Sequence, residues 1–201
     1  DLHSLRRRQR QMCIRDSGKE SSCENTVNSV QRLFYNIPIN TYFSLDLDGI
    51  SALNDSVGGV DVVSPETIGE FVEGESYHLV GQQAESFVRT RDTSKTDSNN
   101  MRMQRQKVYI QSFMNTVLQQ TKKDLTTPID LFNASAPYSC TNLNPSKVSY
   151  LAQQAVLGGM NGIDMVSVPG QVAMGSKYAE FNVSEAEFYQ LFLSIYYTKI
   201  E

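Results

Sequence analysis

The sequence predicts an α/β fold. Helical and strand periodicities alternate along its first half, glycine pairs close the helices, and proline marks where elements stop. Residues 24–35 place Val27, Val30, Leu33 and Phe34 on one helical stripe. Asn36-Ile37-Pro38 ends that stripe, because proline disfavours helix in the residue before it. Residues 41–47 read as a strand carrying Tyr42, Phe43, Leu45 and Leu47. Residues 49–57 read as a short helix closed by Gly58-Gly59, and residues 60–63 as a second strand closed by Pro65.

Residues 66–79 are irregular, broken by Gly69 and Gly74. Residues 82–86 form a helical turn leading into a strand that ends at Arg91. Residues 92–100 carry no apolar side chain and predict a mobile polar loop. Residues 101–120 predict a long helix whose inward stripe runs through Ile110, Phe113, Met114 and Val117. Asn144-Pro145 supplies an N-cap and a first-position proline for another helix, which Gly158-Gly159 ends. Residues 165–168 read as a strand. Ser184 with Glu187 forms a capping box for a last helix over 185–198.

Five side chains stand out as a candidate site: Arg89, Arg91, Arg102, Arg105 and Gln106. On a strand, Phe87, Arg89 and Arg91 share one face. Extended backward, the inward stripe of the long helix passes through Gln106 and Arg102. A core-facing stripe thus turns cationic at its start, beside a strand bearing two more guanidiniums. Buried cations need an anionic partner, and no acidic residue alternates with them locally. Guanidinium forks suit a phosphate or pyrophosphate, and a helix N-terminus adds attraction for anions. The plainer alternative is a solvated strand end and an ordinary surface arginine in a first helical turn.

The first 17 residues read as a non-native tail. The run from Arg7-Arg8-Gln9-Arg10 through Gln11-Met12-Cys13-Ile14 to Arg15-Asp16-Ser17 is what the end of a common transposase sequencing adapter encodes. Asp1-Leu2-His3 matches the outer end of the same adapter, and such scars are set aside before reasoning about fold. Setting them aside removes five of 18 basic and two of 22 acidic residues, leaving 13 and 20, a net charge of −7. The remaining chain is acidic, which opposes a general nucleic-acid binder built on the basic residues from Arg89 to Lys107. Residues 18–201 suffice for one domain with a sizeable core, and no run of eighteen apolar residues is present.

Other motifs are weaker. Asp46-x-Asp48-Gly49 lacks the remaining ligands of a calcium loop. His78 has no second histidine for a zinc site once the tail is set aside, and reads as a surface or strand-edge residue. Asn133-Ala134-Ser135 and Asn182-Val183-Ser184 read as chance sequons. Cys23 and Cys140 read as two free thiols, with a disulfide as the alternative.

Three stretches together resemble the LytR-CpsA-Psr family of bacterial cell-wall phosphotransferases. They are Ile37-Pro38-Ile39-Asn40-Thr41-Tyr42 with Leu47-Asp48-Gly49-Ile50; Asn54-Asp55-Ser56-Val57-Gly58-Gly59-Val60-Asp61-Val62; and Leu79-Val80-Gly81-Gln82-Gln83-Ala84 through Phe87-Val88-Arg89-Thr90-Arg91 to Arg102-Met103-Gln104-Arg105-Gln106. The third is the most specific, an Arg-x-Arg followed by Arg-x-x-Arg-Gln. The likeness covers residues 24–120, and residues 121–201 are more distantly similar to clostridial members. It implies an α/β/α sandwich with a central mixed sheet, cut short at its N-terminal edge, that holds a polyprenyl chain between sheet and helices.

The resemblance implies that the intact protein transfers a glycopolymer phosphate, of a teichoic acid or a capsular or secondary wall polysaccharide, from a polyprenyl-pyrophosphate carrier to peptidoglycan. It implies that Arg89, Arg91, Arg102 and Gln106 contact the pyrophosphate, with Arg105 either joining them or pairing structurally on its helix. Family members hold Mg²⁺ on two aspartates upstream of the matched region, so no metal ligand is assigned in this chain, and the fragment itself is expected to be inactive. An N-terminal membrane anchor and placement outside the cytoplasm are likewise implied. The competing expectation is a module that binds polyprenyl pyrophosphate or wall anions without transferring them.

Overall fold

The structure, a computed structural model, describes residues 19–92, 94, 98–174 and 179–197. The adapter-like tail lies outside the described residues. The chain forms two compact units, Asp1–Asp164 and Met165–Glu201.

The first unit opens with helix α1 (Lys19–Leu33), which ends where Tyr35 and Asn36 adopt positive φ. Strand β1 (Phe43–Leu45) leads into helix α2 (Asp48–Ser56) and strand β2 (Val60–Val63). Strand β3 (Ser76–Leu79), helix α3 (Gln82–Arg89) and the long helix α4 (Ser98–Lys123) follow. Helix α5 (Thr127–Ser135), a 3-10 turn (Ala136–Tyr138), strand β4 (Ser139–Thr141) and helix α6 (Pro145–Leu157) complete the unit. The second unit holds strands β5 (Gly170–Met174) and β6 (Ala179–Val183) and helix α7 (Glu185–Tyr196).

The chain is α/β. Its described strands pair two by two and antiparallel, β1 with β4, β2 with β3 and β5 with β6, and do not run on into a central mixed sheet. On β2 the alternation is strict. Val60 and Val62 are buried while Asp61 and Val63 face outward. Their partner β3 lies within the stretch read as irregular. Its alternation is masked because Tyr77 is only half-buried and His78 is exposed. Gly59 fixes the hairpin's near end. Its φ is +95°, and a Cβ there would lie 2.4 Å from His78 Nε2, so both backbone and space require glycine.

The core gathers Leu53 and Val57 of α2, Val60 and Val62 of β2, Leu79 of β3, Ala84, Phe87 and Val88 of α3, and Tyr109 of α4. Phe71 completes it, edge-on to Phe87 at 5.0 Å and to Tyr77 at 5.2 Å. The buried Asn54 amide donates to Leu79 O at 2.7 Å and its carbonyl accepts from Tyr109 Oη at 3.2 Å. Burial, helped by the nearby Asp55 charge, holds the Tyr109 phenol well above its ordinary range.

Several expectations are corrected. Residues 82–89 continue as helix instead of turning into a strand, since Ala84, Phe87 and Val88 bury one helical face. The long helix starts at Ser98, within the stretch expected to be loop; residues 93 and 95–97 of that stretch lie outside the described residues. Residues 165–168 are not a strand, and the strand of that region is β5. The Asn144 cap forms, its side chain accepting from Lys147 N at 2.9 Å. Ser184 stands at the N-cap of α7, but its side chain makes no capping hydrogen bond.

Candidate anion site between two helices

Helix α3 ends at Arg89; Ser86 O accepts from Thr90 N at 3.0 Å, and the carbonyls after it have no partner within the helix. Side chains of α4 supply them. Arg105 donates through Nη1 to Phe87 O and through Nη2 to Thr90 O, and Gln106 Nε2 donates to Val88 O at 3.2 Å. The remaining donor of Arg105, Nε, meets Glu66 Oε1 at 2.7 Å. Arg105 is completely buried. It is a helix-capping cation neutralised by a carboxylate 39 positions away in sequence.

That geometry corrects two expectations. The buried face of α4 runs through Arg105, Tyr109, Leu118 and Thr121, with Phe113 and Val117 packed alongside. Ile110 and Met114 are exposed. The inward stripe is therefore rotated by about one residue from the one read in the sequence, and Arg105 takes the core position assigned to Arg102. Arg105 accordingly leaves the anion set: every nitrogen of its guanidinium engages a protein acceptor. The acidic partner that the sequence did not reveal is Glu66, from the loop after β2, whose carbonyl is held by Ser64 Oγ at 2.6 Å. Nothing local marks it, because the pairing is set by tertiary packing.

The other arginines occupy the rim. Arg91 follows the end of α3, is exposed, and donates from Nε to Ser98 Oγ at 3.0 Å, reaching the first turn of α4. Arg102 donates from Nη2 to Asn99 Oδ1 at 2.9 Å. Its Nε is shielded from solvent and has no hydrogen-bond partner among the described residues. Gln106 lies one turn further along the same face, pinned to Val88 O. Arg89 does not share a strand face with Arg91, since it belongs to a helix. It pairs with Glu85 at 2.7 Å, with 62% of its side chain exposed. Arg91, Arg102 and Gln106 are thus gathered where α3 ends and α4 begins, and Arg89 stands outside that group on a surface ion pair.

Glu66, near the site, is engaged by Arg105. Among the described residues no three of His, Cys, Asp and Glu gather to hold a metal ion. A hollow of about 300 Å³ lies against the β2–β3 hairpin, lined by Asp61, Tyr77, His78 and Ser112, and none of the site arginines borders it.

A family model described as the LytR_cpsA_psr family matches residues 17–193. The chain belongs to that family. A Bacillus anthracis protein named polyisoprenyl-teichoic acid–peptidoglycan teichoic acid transferase TagU is 39% identical over 62 residues, which is 29% of this chain and 20% of that protein. The match thus spans about a fifth of the length of that curated relative.

Solved structures share the fold. A Streptococcus agalactiae protein superposes with a TM-score of 0.71 at 19% identity, covering 87% of this chain and 61% of the other. B. subtilis TagV gives 0.65 at 22% identity, covering 88% and 71%. TagT bound to LI-WTA gives 0.63 at 15% identity, covering 87% and 66%. No helix among the described residues of this LytR-CpsA-Psr chain is long and apolar enough to cross a membrane.

Proposed function

We propose that this chain is part of an enzyme that transfers a glycopolymer phosphate from a polyprenyl-pyrophosphate carrier to peptidoglycan at the outer face of the cell membrane, and that Arg91, Arg102 and Gln106 hold the pyrophosphate. The observation that carries the reading is Arg102. Its Nε is shielded from solvent without a partner among the described residues, beside the N-terminus of α4, while Arg91 reaches the same turn. A guanidinium donor removed from water and left unsatisfied is costly, and a phosphoryl oxygen would satisfy it. Membership of a family with a curated teichoic acid transferase among its members supports the substrate class, as does the TagT relative bound to LI-WTA.

In that reaction the anhydride P–O bond to the carrier phosphate breaks, polyprenyl phosphate leaves, and an acceptor hydroxyl on the wall polymer gives up its proton to solvent and forms the new phosphoester. Charge grows on the leaving phosphate as the bond lengthens. Arg91 and Arg102 are placed to neutralise it through charge-assisted hydrogen bonds. Gln106 orients an oxygen without adding charge. Arg105 and Glu66 touch no substrate in this reading; they lock the end of α3 against α4, which sets the separation of Arg91 from Arg102. Mg²⁺, implied by the family resemblance, would supply further neutralisation of the phosphates.

The test is transfer by the full-length protein from the intact gene, followed as release of polyprenyl phosphate. Arg91→Ala and Arg102→Ala should each remove most of the activity, and Arg89→Ala should remove less. Unchanged transfer in Arg91→Ala and Arg102→Ala would overturn the assignment.

A further inference from the structure

Cys23 and Cys140 lie on different elements, α1 and β4, which pack together. Both are half-buried free thiols, within reach of a small oxidant. Cys140 sits at the middle of β4, opposite Ser44 on β1. The Cys23 thiol is near enough to Cys140 and Ser44, and Tyr42 near enough to Cys140, for the groups to influence one another. Two thiols from segments far apart in sequence thus face each other across one packing contact, with polar neighbours rather than a sealed apolar wall.

We infer that Cys23 and Cys140 form an intramolecular disulfide under oxidising conditions, stapling α1 to the β1–β4 ribbon. With oxidised glutathione as the oxidant, one thiolate attacks a glutathione sulfur. A mixed disulfide forms and one reduced glutathione leaves. The second protein thiol then displaces the other glutathione. Two electrons and two protons pass to the oxidant in all, and no other co-reactant is needed. The bridge would close the long loop between positions 23 and 140, so it should restrict the unfolded chain strongly. The inference stands on the placement of the two thiols and does not depend on the anion site.

The experiment treats the full chain with oxidised glutathione, alkylates the remaining thiols and maps the peptides by mass spectrometry. Cys13, in the tail, is the internal control. The expected result is a peptide linking Cys23 to Cys140, two fewer titratable thiols, Cys13 alkylated, and a melting temperature raised by at least about 5 °C that a dithiol reductant reverses. Cys23→Ser and Cys140→Ser should each show no such rise. Cys23 and Cys140 recovered as alkylated thiols, either one held as a stable glutathione adduct or paired with Cys13, or a bridge that leaves the melting temperature unchanged or lower, would each overturn the inference.

Discussion

Arg105 Nε lies 2.7 Å from Glu66 Oε1, and the arginine is wholly buried while reaching two carbonyls of the α3 terminus. One side chain therefore joins the loop after β2, the end of α3 and the body of α4. A buried ion pair of this kind is not a large net source of stability by itself, because both charges were desolvated to make it. Its consequence is geometric, since it fixes where α3 stops.

Breaking that pair from one side should be severe. Arg105→Met leaves Glu66 without its cation and two helix-end carbonyls unsatisfied. The expected loss is about 3–5 kcal/mol in urea unfolding. The double variant Arg105→Met with Glu66→Leu should recover part of it, because no isolated carboxylate remains. A single-variant loss below about 1 kcal/mol would show that the node is not structural.

Arg89 should behave differently. Its ion pair with Glu85 is exposed and spaced i, i+4. Arg89→Ala should cost at most about 0.5 kcal/mol of stability, read from the same unfolding curves. It should also weaken pyrophosphate binding less than Arg91→Ala does.

The class of fold was legible in the sequence because it rests on local signals. The stripe of α1, the Gly58-Gly59 stop, the alternation of β2 and the Asn144 cap all depend on residues a few positions apart. The site was legible only in its list of residues. Tyr109 and Ile110 are neighbours and both apolar in part, so the phase of α4 was ambiguous by one residue. Burial of Tyr109, bonded to Asn54, settles it and turns Arg105 inward. Glu66 could not be assigned, since its partner lies across the fold. Residues 82–89 contain Phe87 and Val88, good strand formers, and only their packing with Ala84 against the core selects helix.

The two predicted caps now make opposite predictions. Asn144→Ala removes a formed bond to Lys147 N and should cost about 1 kcal/mol. Ser184→Ala removes no capping bond and should stay within about 0.5 kcal/mol. Helix melting of the two variants, followed by circular dichroism, distinguishes them.

His78 provides a pH dependence. Its Nδ1 lies 2.7 Å from Asp61 Oδ1 and its Nε2 is 3.1 Å from Gly58 O. The hydrogen bond to Asp61, with its charge and the Gly58 carbonyl, raises the imidazole above its ordinary 6.5 against a smaller opposing effect of burial. Because the folded value is raised, the contribution is fully present below about pH 6.5 and is lost as pH rises through the folded value. Urea midpoints measured across this range should fall more steeply for the unaltered chain than for His78→Gln. Parallel profiles would contradict the pairing.

The central claim is that Arg102, with Arg91 and Gln106, forms a pyrophosphate site at the start of α4. The most direct measurement is calorimetric titration of the chain with geranylgeranyl pyrophosphate, with and without Arg102→Ala, at two salt concentrations. The account predicts salt-sensitive binding that Arg102→Ala weakens about tenfold or more, since one charge-assisted hydrogen bond contributes roughly 1.5–3 kcal/mol. Equal affinity in the two proteins, or binding indifferent to salt, would contradict it.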